Sequence, residues 1–168
     1  DALPICGNGS IGGSQGAAIY TPGTGGPGGA GNYGGVTTAN NGVIIFQGRG
    51  FAPSNYTLTI NSGSGKAAVN GDVVAIKGIT INSSNSNNVI AGIISGATFV
   101  TKQGVGTLTL NGVNTYSGVT TVTAGTLTIP NSSSLGSTAG GTIIEAAGTL
   151  DVQADLAAEN ITSNGGII

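Results

Sequence analysis

Residues 102 to 136 read KQGVGTLTLNGVNTYSGVTTVTAGTLTIPNSSSLG. Within them a Gly-Thr-Leu triplet begins at Gly106 and again at Gly125, and a further copy begins at Gly148. The copies stand 19 and 23 residues apart. Each opens a short alternating run (GTLTL, GTLTI, GTLDV), and Asn-Gly, Ser-Gly, Pro-Asn and Ser-Leu-Gly fill the intervals. Strand units recurring about every 20 residues without a helical period mark a solenoid. A unit that short cannot bury its own apolar face, so it stacks on its neighbours.

Alternation assigns the faces, because side chains along a strand have period 2. In Thr107-Leu108-Thr109-Leu110 the leucines point one way and the threonines the other. The same register places Val122, Leu127, Ile129, Ile144, Ala146, Leu150 and Val152 inward and leaves Thr126, Thr128, Glu145 and Asp151 outward. Tyr56, Leu58 and Ile60 form an equivalent inward row. The expected fold is all-β: a parallel β-helix, or β-solenoid, over residues 43 to 168, with Leu108, Leu127 and Leu150 stacked in successive coils. Roughly six coils rising about 4.8 Å each make a rod of about 30 Å.

Residues 102 to 136 also resemble the autotransporter-associated β-strand repeat, a passenger-type repeat of bacterial secreted adhesins and related surface proteins. Lys102, Gly104, Gly106, Thr107, Leu108, Leu110, Gly112, Asn114, Thr115, Tyr116, Ser117, Gly118, Thr120, Val122, Gly125, Thr126 and Leu127 fit its pattern. The likeness continues loosely over residues 89 to 152, with the repeat region taken as 97 to 152. The resemblance implies right-handed coiling, a secreted or cell-surface location, and membership of much longer chains that end in an outer-membrane barrel.

Composition narrows the class. Only six acidic and four basic residues occur among 168, and histidine, methionine and tryptophan are absent. The basic residues Arg49, Lys66, Lys77 and Lys102 are scattered, so there is no footprint for nucleic acid. No apolar run approaches transmembrane length. Asp1-Ala2 reads as a mature N-terminus left after cleavage or as the edge of a fragment. Cys6 has no internal partner and reads as an idle thiol or as a bridge between subunits.

Residues 1 to 42 hold 14 of the 33 glycines and a single charge, Asp1. Without strand or helix period, they read as a Gly-rich flexible or assembly arm. From Val43 the chain turns to short β-branched runs bounded by turn signals. The run Asn82-Ser83-Ser84-Asn85-Ser86-Asn87-Asn88 reads as a solvated turn, with an adhesive tip or an asparagine ladder as alternatives.

Residues for an enzyme are not assembled in the sequence. Glu145, Asp151, Asp155 and Glu159 cluster within 15 residues, but no Arg or Lys follows Lys102. They read as isolated solvated acids rather than the paired carboxylates of glycan hydrolysis. No catalytic residue, metal ligand or cofactor is expected.

Two roles follow. In the first, a secreted structural protein self-assembles head-to-tail into an extracellular filament or matrix. Uncapped β-rods expose unpaired backbone at their ends, and a contact that does not close builds a fibre. The arm would add as a strand to a neighbour. Candidate subunit contacts are Ile5, Cys6, Ile11, Ile19, Tyr20, Tyr33, Val36, Ile167 and Ile168. The partner is then the chain itself, with cell-surface or matrix components besides. In the second role, the chain is a stalk or passenger fragment of a surface adhesin that binds a host or neighbouring cell.

Overall fold

A computed structural model describes residues 54–74, 76–156 and 158–168, together with the earlier strands β1 (Ala18–Tyr20), β2 (Val36–Thr37) and β3 (Ile44–Phe46). The later strands are β4 (Ser54–Gly63), β5 (Ala67–Val69), β6 (Val73–Val74), β7 (Ile76–Ser83), β8 (Asn88–Ile90), β9 (Ile94–Ser95), β10 (Phe99–Gln103), β11 (Thr107–Leu110), β12 (Thr120–Ile129), β13 (Thr142–Val152) and β14 (Ile161–Asn164). All described strand pairs are parallel, and no helix occurs among the described residues.

The pairing winds the chain into a parallel β-solenoid of about five turns, somewhat fewer than the six expected. From Ile60 the register steps to Ile81, Lys102, Val122, Ile144 and Ser163, so a coil takes 19 to 22 residues. This first wall stacks β2, β4, β7, β10, the start of β12, the start of β13 and β14. The second wall stacks β1, β3, β5, β8, β11 and the ends of β12 and β13. A third, shorter side is begun by β6 and β9. It is continued by single backbone bonds such as Thr115 N–H to Ile94 O, 2.9 Å, and Ser137 N–H to Tyr116 O, 2.8 Å.

Leu108, Leu127 and Leu150 lie opposite one another on the second wall and are buried, as the alternation predicts. Leu58, Ile60, Val122, Ile129 and Ile144 are buried with them. Glycines turn the corner between the two walls. Gly104 and Gly125 take φ values of 74° and 71°, the left-handed region that L side chains rarely adopt. A Cβ on Gly125 would lie 2.4 Å from the carbonyl oxygens of both Gly104 and Gly106 in the coil beneath.

Three face assignments are corrected. Ala146 is exposed, because β13 spends one residue more than β12 at this corner. Val122 and Ala124 pair with Ile144 and Ala147, and the extra residue bulges outward. Val152 is 39% exposed: it covers Ile129, but the chain that returns over β13 pairs only as far as Thr149. Thr128, expected outward, is only 8% exposed and donates to Asp151 Oδ2 at 3.1 Å. Of the expected arm over residues 1 to 42, β1 and β2 alone are described. They pair in parallel with β3 and β4 of the same chain.

Candidate binding face

The outward surface of the first wall is built by alternation alone. Thr59, Thr80, Thr101 and Thr121 occupy one register column, and Asn61, Asn82 and Gln103 the next. Within these columns no side chain is ionised; Glu145 comes two coils beyond Gln103 and accepts from Asn164 Nδ2 at 3.2 Å. Phe99 flanks them and its ring covers Gly78, where any Cβ would fall 2.1 Å from the ring edge. These two columns are thus a neutral ladder of hydroxyls and amides, one rung per coil about 4.8 Å apart, with the exposed Lys77 of β7 beside them.

At the corner this wall opens into a shallow groove of about 510 Å³ lined by Asn61, Gly63, Asn82, Ser83, Ser84, Gly104 and Val105. The groove's polar groups are held in place. Asn82 Nδ2 donates to Asn61 Oδ1 at 3.0 Å, and Ser84 Oγ donates to Gly63 O at 3.0 Å. Val105 stands beside them 79% exposed. The Asn82–Asn88 run is therefore more than a solvated turn. Its first residue forms an asparagine rung, Asn85 Nδ2 reaches back to Ser64 O at 2.8 Å, and Asn88 is buried.

Inside the rod lies a second polar set that the alternation rule did not single out. Lys102 is 0% exposed in the column Ile60, Ile81, Lys102, Val122, Ile144. Its ammonium donates to the carbonyls of Gln103 (2.7 Å), Gly104 (2.6 Å) and Ala124 (3.2 Å). Burial lowers its pKa from 10.5 to about 8, since the charged form is poorly solvated there. Tyr116 is also buried, and its hydroxyl shares a 2.6 Å hydrogen bond with Thr120 Oγ1. Burial raises the Tyr116 pKa, the Thr120 hydrogen bond opposes the rise, and the Glu159 charge adds to it. Parity with Val100 was the available signal for Lys102; Tyr116 sits in a stretch that reads as turn.

The acids of the last coils are held separately. Asp151 Oδ2 accepts from Thr128 and Gln153, and Glu159 Oε1 accepts from Thr142 Oγ1 at 3.0 Å. Among the described residues no three His, Cys, Asp or Glu side chains converge on a metal position. Of the candidate subunit contacts, Ile5, Cys6, Ile11 and Tyr33 lie outside the described residues, as does the Tyr56 side chain. Ile19 and Tyr20 fall in β1 and Val36 in β2. Ile167 and Ile168 are each 65% exposed, and the Ile167 backbone bonds to Gly148 and Leu150 of β13.

Residues 100–129, which contain Lys102 and the Gly-Thr-Leu rungs at Gly106 and Gly125, match the passenger-associated-transport-repeat family. These residues are an autotransporter passenger repeat. The Adhesin BmaC autotransporter of Brucella suis biovar 1 (strain 1330) is 30% identical over 125 residues. That alignment takes in 74% of this chain and 3% of the relative, so the chain spans a small part of the protein it matches. No solved structure gives a significant match. The passenger repeat places the chain outside the cell or at its surface.

Proposed function

We propose that this chain is a length of the rod of a surface adhesin, wound right-handed, and that its outward wall contacts a host or neighbouring-cell surface. The observation that carries this reading is the 125-residue likeness to an adhesin, which covers several coils rather than one motif. The neutral ladder of Thr59, Thr80, Thr101 and Asn82 is the contact face in this reading. Its own rungs carry no charge and make short-range hydrogen bonds, with Lys77 the ionised side chain beside them on β7. The rod is non-enzymatic in this reading, with Glu145 and Asp151 acting only as outer-face acids.

Beads coated with the full chain test the proposal on cultured cell monolayers. Attachment well above uncoated beads is expected, with loss in the Thr80→Lys/Thr101→Lys variant, whose long charged side chains disrupt the wall. Attachment no better than bare beads would overturn the reading.

A second reading, head-to-tail assembly into a filament, draws on the exposed Ile167 and Ile168. Purified chain that stays as single rods at high concentration would overturn assembly. Filaments seen by negative-stain electron microscopy, lost in Ile167→Asp/Ile168→Asp, would favour assembly instead.

A further inference from the structure

The apolar columns of this solenoid are poor at specifying how its coils align. On the second wall Thr107, Leu108 and Thr109 face Thr126, Leu127 and Thr128. Sliding one strand by two residues keeps every threonine out and every leucine in, because the period is 2. Something other than the leucines selects the observed register.

Two buried asparagines have the geometry to do so. Asn88 stands in the column that continues as Leu108, Leu127 and Leu150. Its Oδ1 accepts from Ala67 N–H in the coil below at 2.8 Å, and its Nδ2 donates to Thr107 O in the coil above at 2.9 Å. A second Nδ2 bond, to Asn85 O at 2.6 Å, ties it to its own turn. Asn114 repeats the arrangement on the third side. Its Oδ1 accepts from Ile94 N–H at 2.9 Å and its Nδ2 donates to Ser134 O at 2.6 Å. Each amide therefore reads both neighbouring coils at once, from a position 1% or 3% exposed.

We propose that Asn88 and Asn114 are register keys, each fitting one alignment of three successive coils. A two-residue slide leaves the leucines content but strands a buried amide without its partners, and an unpaired buried polar group is strongly unfavourable. A single buried asparagine selects register in coiled coils by the same physics, at some expense in stability. The roles are complementary: leucines hold the coils together, and asparagines decide which residue sits on which.

Paired cysteines read the register directly, in a full-length Cys6→Ser background. Val89 and Thr109 are opposite one another, so their Cα atoms lie about 4.8 Å apart, within reach of a disulfide. Val89 and Thr107 are two residues out of step, about 8 Å apart, and bridge only if the coil slides. With Asn88 present, Val89→Cys/Thr109→Cys is expected to cross-link and Val89→Cys/Thr107→Cys is not. In Asn88→Leu the ratio of slid to aligned cross-link should rise at least about tenfold, the scale set by losing one such interaction. Asn88→Asp keeps the acceptor for Ala67 but loses the donor to Thr107, so it should release the same slide while disturbing packing less. If both variants cross-link only in the aligned pair, Asn88 is not a register key. If both lose the aligned cross-link without gaining the slid one, Asn88 serves folding alone and the proposal fails equally.

Discussion

Two inward columns of the same rod differ sharply. On the second wall, Leu108, Leu127 and Leu150 stack with nothing polar between them. On the first, Ile60, Ile81, Val122 and Ile144 stack around a lysine. These three leucines contribute a simple sum of buried apolar area, above the buried Asn88 of the same column. The lysine column contains a charge whose three carbonyl partners line a corner of the coil, so its stability depends on geometry and on pH. Apolar stacking supplies cohesion, and buried polar groups tie that cohesion to one backbone path.

The largest expected effect breaks the apolar side. Leu127 lies between Leu108 and Leu150 and has no exposure, so Leu127→Ala should leave a cavity within the stack. A loss of about 2–5 kcal/mol in unfolding free energy is expected by denaturant titration. A change within measurement error would mean that the coils close around the gap and that the column is not a tight stack.

The next effect isolates the polar side. The Lys102 pKa is about 8 in the folded chain and 10.5 when unconstrained. Between those values the unfolded chain binds more protons than the folded one, so stability rises with pH. From pH 8 to 10 the gain should reach about 2 kcal/mol. Tyr116 acts in the opposite direction: burial holds its phenol protonated, so stability falls once the unfolded tyrosine ionises above its usual pKa of 10.0. A maximum near pH 10 is therefore expected in chemical melts. Lys102→Met should flatten the rising limb and leave the falling one. An unchanged rise in that variant would place its origin elsewhere.

How much of this contrast was legible in the sequence depends on which rule each residue obeys. The leucine rungs followed from parity, since Thr-Leu-Thr-Leu has one reading on a half-buried strand. Lys102 has the same parity as the buried Val100, yet charge alone argues for the surface, and only the corner carbonyls reverse that. The bulge at Ala146 was countable: four residues lie between Thr120 and Gly125, and five between Thr142 and Gly148. Asn114, Tyr116 and Leu135 were hidden for a different reason. They occupy a side with little ladder pairing, where turn residues and core residues look alike along the chain. The candidate face was half legible, because outward threonines followed from parity, while the Asn61–Asn82 rung needed the coil length.

A smaller effect tests whether the neutral interior hydroxyls behave like the lysine. Tyr116→Phe keeps the ring but leaves Thr120 Oγ1, itself buried, without its 2.6 Å partner. The expected loss is about 1–2 kcal/mol near pH 7. The same variant should weaken the decline above pH 10, which the lysine exchange leaves alone. If the high-pH decline persists undiminished, Tyr116 does not control that limb.

The smallest effect lies on the outside of the lysine column's own wall. Thr101 is the immediate neighbour of Lys102 but points outward, opposite Thr80 below and Thr121 above. Its side chain is half-buried on the outer face, so Thr101→Ala is expected to remove no core contact and to expose little new apolar surface. A shift within about 0.5 kcal/mol is expected, the range for surface exchanges away from special features. The comparison with Lys102→Met is made on adjacent residues of one strand, so backbone pairing and position along the rod are shared. A loss above about 1 kcal/mol for Thr101→Ala would show that the outward ladder is itself a structural element. The face proposed for surface contact would then be tied to stability, and variants that abolish attachment would have to be checked for unfolding before any binding role was assigned to Thr80 or Thr101.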